Sequence, residues 1–168
     1  MPWLNTEAAA AQLRDYCIYE PYTGTFRRLH TSRKFIAGSV MTGTLSHGYV
    51  LIWLDGKQRA AHRLAWLWMT GAWPLKDIDH IDGNRSNNAW ANLRHVDRST
   101  NLENIHGPKS HNRSTGLLGA YHSPSLGRFV SRIQVKGKSK SLGSFGSAED
   151  AHAAYLSAKR ELHAGNTL

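Results

Sequence analysis

Hydrophobic and polar positions along this chain change in short runs, and most of the predicted elements are short. Thr6 to Tyr16 carries an alanine run, with Leu13 and Cys17 on one face, and predicts a helix capped by Thr6. Glu20 to Gly24 predicts a turn, and Thr25 to Leu29 alternates like a strand. His30 to Lys34 reads as a basic loop, and Gly38 to Leu45 as a strand with a bend. Gly48 to Leu54 is rich in β-branched and aromatic residues, Asp55-Gly56 follows, and Lys57 to His62 returns. A two-residue Asp-Gly link between such runs predicts a hairpin. Arg63 to Thr70 predicts an aromatic helix closed by Gly71, with Trp73-Pro74 as the next break. Ile78 to Ile81 reads as a short strand turned by Asp82-Gly83-Asn84, and Leu93 to Val96 as a second one. Asp97 or Ser99 then caps a helix to about Ile105, ended by Gly107-Pro108.

Beyond a Ser-, Asn- and Gly-bearing linker at 109–116 the pattern becomes that of strands: Leu118 to His122, Arg128 to Lys136, and Ser139 to Phe145. The middle run puts Arg128, Arg132 and Gln134 on one face, with Tyr121, His122, Lys138 and Lys140 as neighbours. Ser147, with Asp150 three residues on, is a near-match to a capping box. Ala148, Ala151, Tyr155, Ala158 and Leu162 form a helical stripe. Lys159 and Arg160 suit the C-terminal end of that helix, and Gly165 a left-handed stop. This predicts a three-stranded sheet backed by one helix.

Composition narrows the function. The chain has 168 residues, with 21 lysines and arginines against 12 aspartates and glutamates, and a formal net charge of +9. Such an excess favours a polyanionic partner. No acidic residue occurs between Glu103 and Glu149, a segment that holds seven lysines and arginines from His106 onward. No apolar run has transmembrane length, and the first residues do not read as a signal peptide, so an intracellular protein with no membrane partner is expected. Cys17 is the only cysteine. That excludes a disulfide framework and a cysteine zinc site, and leaves oxygen and imidazole as metal ligands. The six tryptophans supply large core pieces, among them Trp66, Trp68 and Trp73. His62, at a strand-to-helix junction, reads as a core histidine making local hydrogen bonds, with a role near the site as the alternative.

The residues that carry chemistry are Asp79-His80-Ile81-Asp82-Gly83-Asn84, then Asn92-Leu93-Arg94, then Asn101. Phosphodiester hydrolysis needs an activated water, a charge clamp on the phosphate and help for the departing oxygen. A histidine supplies the first and a divalent ion the others. Neighbours on a strand point to opposite faces, so Asp79 as ligand and His80 as base is permitted only where the strand end twists or the two flank the site.

The stretch Asp79 to Asn88, followed by Asn92-Leu93-Arg94 and Asn101, resembles the HNH endonucleases of the phage and homing type. Ala61 to Trp66 and Gly71 to Pro74 resemble the lead-in of the phage members. The resemblance implies a ββα-metal module in which Asp79 and Asn101 hold a divalent ion, His80 activates water and Asn92 orients the His80 ring. It implies Mg²⁺ or Mn²⁺ and products with 3′-hydroxyl and 5′-phosphate ends. Asn104 is the alternative ligand to Asn101. The C-terminal stretches Gly119 to His122, Gly127 to Ile133, Leu142 to Phe145 and Ala148 to Tyr155 resemble the APETALA-type DNA-binding domain of ethylene-response factors, with Phe129 where those domains usually carry Trp. That resemblance implies a sheet laid in the major groove.

The expected protein is therefore α+β. A β-rich N-terminal region and an HNH module fill 1–108, with the module core at about 76–108, and an APETALA-type domain fills 117–168. The expected function is metal-dependent cleavage of double-stranded DNA by a monomer or weak dimer in the cytoplasm of a bacterial, phage-infected host. Arg94, Tyr121, His122, Arg128, Arg132, Gln134, Lys138 and Lys140 are the expected DNA contacts. The rivals are a catalytically silent, sequence-specific DNA-binding protein using the C-terminal sheet, and a basic RNA-binding structural protein.

Overall fold

The computed structural model describes residues 6–108, 112 and 114–168, and is mixed α+β, built from small sheets and short helices. Two compact units divide it, Met1–Val96 and Asp97–Leu168.

The first unit opens with α1 (Thr6–Tyr16), which runs directly into β1 (Cys17–Glu20). β1 pairs antiparallel with β2 (Thr25–Arg28). β1 has no counterpart in the sequence reading, because Cys17 continues the apolar face of α1 by helical spacing. β3 (Thr44–Ser46), β4 (Tyr49–Leu54) and β5 (Lys57–Ala60) form an antiparallel sheet in that order. The Asp-Gly link closes the β4–β5 hairpin as expected: Asp55 and Gly56 sit at φ +50° and +70°, the positive pair that a tight hairpin turn requires. α2 (Ala61–Thr70) follows and stops at left-handed Gly71, whose N–H bonds the Leu67 carbonyl at 2.9 Å.

The two helices and five of the strands share one core. Ala9, Ala10 and Leu13 of α1 meet Ala61, Leu64, Ala65 and Leu67 of α2, with Cys17, Tyr19, Phe26, Ile52 and Leu54 buried in the same cluster. Trp66, Trp68 and Trp73 pack against it. Arg14 ties α1 to the end of α2 through the Trp68 carbonyl, at 2.6 and 3.1 Å. Burial pushes the Cys17 thiol up to about 12, with Arg28 working weakly the other way.

β6 (Asp77–His80) and β7 (Leu93–Val96) complete the first unit as an antiparallel pair. A short 3-10 turn, Trp90–Asn92, leads into β7. Ile78 and Leu93 reach the core, while Trp66 stacks near both Trp90 and His95, with ring centroids 5.1 and 5.0 Å away.

The second unit holds α3 (Arg98–Glu103), the antiparallel sheet of β8 (Ala120–Ser123), β9 (Arg128–Val135) and β10 (Lys138–Phe145) with β9 in the middle, and α4 (Ala148–Leu162) packed on that sheet. Ser147 caps α4: its Oγ accepts from the Asp150 N–H at 3.0 Å and its hydroxyl donates to Asp150 Oδ2 at 2.7 Å. Ala120, Ser131, Ile133 and Ala151 are buried. Gly165 does not close α4 by a left-handed turn; it lies against Thr100, and its N–H bonds the Glu103 carboxylate at 3.1 Å. Lys159 stands in the last turn of α4, as expected, and is buried there, its ammonium donating to the Ile105 carbonyl. These ties, with Thr167 Oγ1 on Asn104 Oδ1 at 2.6 Å, group residues 97–108 with the second unit, whereas the sequence reading draws the boundary after 108. The expected linker lies partly outside the described residues. Asn112 within it is buried, and its amide donates to the Leu117 and Ala120 carbonyls at 2.8 and 3.0 Å.

Candidate active site

β6 ends in two adjacent, buried polar residues, Asp79 and His80. The β6–β7 register is regular to the end, so the two side chains leave on opposite faces. Asp79 stands across from Arg94, and the pair forms a cross-strand ion pair. Arg94 Nε and Nη2 lie 2.9 and 2.7 Å from Asp79 Oδ2. Arg94, expected to contact DNA, thus faces the expected metal ligand.

His80 points into an aromatic wall. Its ring centroid lies 5.1 Å from His62 and 5.9 Å from Tyr49. Its Nε2 lies 3.2 Å from Asn88 Oδ1. The Asn88 amide is oriented by its own donation to the Ser86 carbonyl at 3.1 Å, so Oδ1 faces His80 and Nε2 is the donor. Burial lowers the His80 pKa. Asn88, Asp82 and Asp79 oppose that shift, and Arg85 adds to it. A neutral ring with its proton on Nε2 carries the basic lone pair on Nδ1.

The role expected of Asn92 falls to Asn88. The Asn92 amide is committed elsewhere: Nδ2 donates to Asp82 Oδ1 and the Asn87 carbonyl at 2.9 and 2.8 Å, and Oδ1 accepts from the Asp82 N–H at 3.0 Å. Asn92 therefore fixes the loop rather than the ring. Asp82 is the hub of that loop and also accepts from Asn84 N at 2.8 Å and Asn87 Nδ2 at 2.7 Å. Burial opposes its charge, but the bonds from Asn87, Asn92 and Asn84 and the nearby His80 outweigh it and hold the carboxyl below its ordinary range.

Support for Asn88 comes from the start of the chain. The Tyr19 hydroxyl donates to the Asn88 carbonyl at 2.6 Å, and Trp90 N–H bonds the Pro21 carbonyl at 2.8 Å. Gly24, at φ +71°, lies so close that a Cβ would collide with the Asn88 and Ala89 backbone. The β1–β2 hairpin is thus a buttress under the loop that holds His80. Sequence reasoning misses Asn88, Tyr19, Tyr49 and Arg85. Asn88 is within its reach, since it ends the Asp79-to-Asn88 stretch eight residues after His80. Nothing in the local pattern marks Tyr19 or Tyr49.

Asn101 belongs to the second unit, within α3, where its N–H bonds the Asp97 carbonyl at 3.0 Å. Asn104 is buried, and its Oδ1 takes the Thr167 hydroxyl and lies 3.0 Å from His106 Nε2. That commitment favours a structural role over the alternative ligand role.

The expected DNA face divides by register. Residues opposite one another in an antiparallel pair share a side. Tyr121 pairs with Val130 and Ser123 with Arg128, so Tyr121, Arg128, Arg132 and Gln134 share the face away from the buried Ile133. His122 pairs with Phe129, Lys138 with Val135 and Lys140 with Ile133, which puts those three on the side that α4 covers. Arg128, Arg132 and Gln134 thus share one face, as expected, and of their expected neighbours Tyr121 joins that face while His122, Lys138 and Lys140 leave on the other side of the sheet, where all three are exposed. A cleft of about 800 Å³ opens in this unit, bordered by Tyr121, Arg132, Gln134 and Tyr155.

The donor chemistry at β6 fits a hard cation. Among the described residues no three His, Cys, Asp or Glu side chains gather as a metal cage. Asp79 offers carboxylate oxygen, the kind of donor used by an ion of the Mg²⁺ class that leaves part of its shell to substrate phosphate and water.

Residues 59–103 match the family model of the HNH endonucleases. The match spans His62, the β6–β7 pair, the Asp82 loop and Asn101, and supports a nuclease. No curated protein and no solved structure matches the chain.

Proposed function

We propose that this chain is a divalent-metal-dependent endonuclease that hydrolyses phosphodiester bonds in duplex DNA. The observation that carries the reading is His80 itself: a buried imidazole, kept neutral by burial and held at Nε2 by Asn88, inside the segment that matches the HNH family. His80 takes the proton from the attacking water at Nδ1, and the Nε2–H bond to Asn88 keeps the ring from presenting its other nitrogen. Asp79 would hold Mg²⁺ or Mn²⁺. Such an ion supplies Lewis-acid polarisation of the phosphate and charge for the departing oxygen. Arg94 orients the Asp79 carboxylate through the cross-strand ion pair. Asp82, Asn84, Asn87 and Asn92 hold the loop between the two strands.

The C-terminal unit belongs to the proposal as a duplex-binding module. A three-stranded sheet with one helix behind it and Arg128, Arg132 and Gln134 on the other face is the arrangement that the APETALA-type resemblance implies. An intracellular setting and a monomer or weak dimer complete the reading.

A plasmid-nicking assay tests it. The expected result is cleavage with Mg²⁺ or Mn²⁺, none with excess chelator, and loss of cleavage without loss of DNA binding in His80→Ala. Full activity in chelator, or an unaffected variant, overturns the reading.

A further inference from the structure

His62 sits in the first turn of α2, half-buried, with its Nδ1 enclosed by protein and no hydrogen-bond partner for that atom among the described residues. The local hydrogen bond expected of a core histidine is missing at that nitrogen. Packing places the ring. It stands edge-on to His80 at an interplanar angle of 74° and a centroid distance of 5.1 Å. It also lies 5.1 Å from Tyr49, which in turn lies 5.9 Å from His80. Three rings from β4, α2 and β6 therefore touch one another.

Two constraints are needed to hold an imidazole. A hydrogen bond at Nε2 opposes a half-turn about the Cβ–Cγ bond, because such a turn would bring carbon to the acceptor. It does little against smaller tilts, which only lengthen the bond. Flat neighbours against the ring resist those tilts. Asn88 provides the first constraint, and the His62 and Tyr49 rings are placed to provide the second.

Resting on the nuclease reading, we propose that His62 is a positioning residue for the base: with Tyr49 it fixes the plane of the His80 ring, so that the Asn88 bond selects one tautomer. His62 touches neither substrate nor metal in this role. The α2 helix, anchored to α1 by the core, becomes the rigid element behind the base.

The test uses the full chain and reads the His80 ring directly. Long-range ¹H–¹⁵N spectra of the imidazole should show a proton fixed on Nε2 in the wild type. His62→Leu keeps the volume and removes the flat ring, so the two nitrogens should become partly averaged. In nicking kinetics the same variant should lose about ten- to a hundredfold in kcat with KM within about twofold, the pattern of a misplaced catalytic group. His62→Phe should restore both the spectrum and most of the rate. Tyr49→Leu should average the same nitrogens and serves if His62→Leu does not fold. An unchanged His80 spectrum in folded His62→Leu and Tyr49→Leu overturns the proposal, as does a rate loss that His62→Phe does not recover. If the wild type cuts no DNA, the nuclease reading fails by itself, and the spectra still decide whether His62 holds the ring.

Discussion

At the scale of single residues the site separates what spacing reveals from what it conceals. Asp79 and His80 stand out as an acid beside a histidine at a strand end, and the structure buries both. Spacing misplaces the ring-holding asparagine by four positions, because a motif gives order along the chain and not the direction of an amide. The consequence is measurable. His80→Ala should lower kcat by about 10²–10⁴ with DNA affinity retained. Asn88→Ala should lower kcat by freeing the ring, while Asn92→Ala should act through the Asp82 loop and lower the melting temperature as well. Equal melting temperatures and equal rates for the two asparagine variants would contradict this division. Acidity follows the same geometry. The His80 pKa is lowered, so the base stays neutral below the ordinary imidazole range, and the rate should persist there before falling. His62 is held down to about 3, first by burial and then by His80 and Arg63. The unfolded chain therefore binds the proton that the folded chain refuses. Stability should decline as pH falls from about 6.5 toward 3, and His62→Phe should flatten that decline in melting curves.

Elements are more legible than their partners. The β4–β5 hairpin, α2 with its Gly71 stop and the capped α4 are all written in local chemistry: an Asp-Gly turn, a left-handed glycine, a Ser N-cap. β1 is not, because the residues that continue the α1 stripe also alternate, and only pairing with β2 decides between them. The purpose of the β1–β2 hairpin is equally hidden, since Tyr19 and Asn88 are 69 residues apart. Gly24→Ala tests that purpose. A Cβ there meets the Asn88 and Ala89 backbone at a positive φ, so the loop must shift. The melting temperature and kcat should both fall, although Gly24 is distant from the chemistry in sequence. The second sheet carries a contrast of its own. Arg128→Ala and Arg132→Ala should reduce the slope of log affinity against log salt by about 0.9 for each phosphate left without its cation. Lys138→Ala and Lys140→Ala, on the side that α4 covers, should change it less. Equal effects from all four would mean that the register does not define the binding face.

For the molecule as a whole, the charge asymmetry can be read from composition, while the point at which the two units divide cannot. Gly107-Pro108 is a strong local break, yet residues 97–108 are held by Lys159, Gly165 and Thr167. Local punctuation marks where a helix ends and says nothing about which distant segment will hold it. Truncation at residue 109 is therefore expected to release α3 rather than leave a complete module, and circular dichroism of such a fragment should show the loss. A chain leaving the ribosome delivers Asn101 about sixty residues before Lys159, Gly165 and Thr167. Short α3 cannot persist on its own. In pulse-labelling hydrogen exchange during refolding, the amides of 98–104 should gain protection only together with those of α4. Synthesis thus delivers β6 and β7 early, while α3 waits for the last residues of the chain before it can hold its shape.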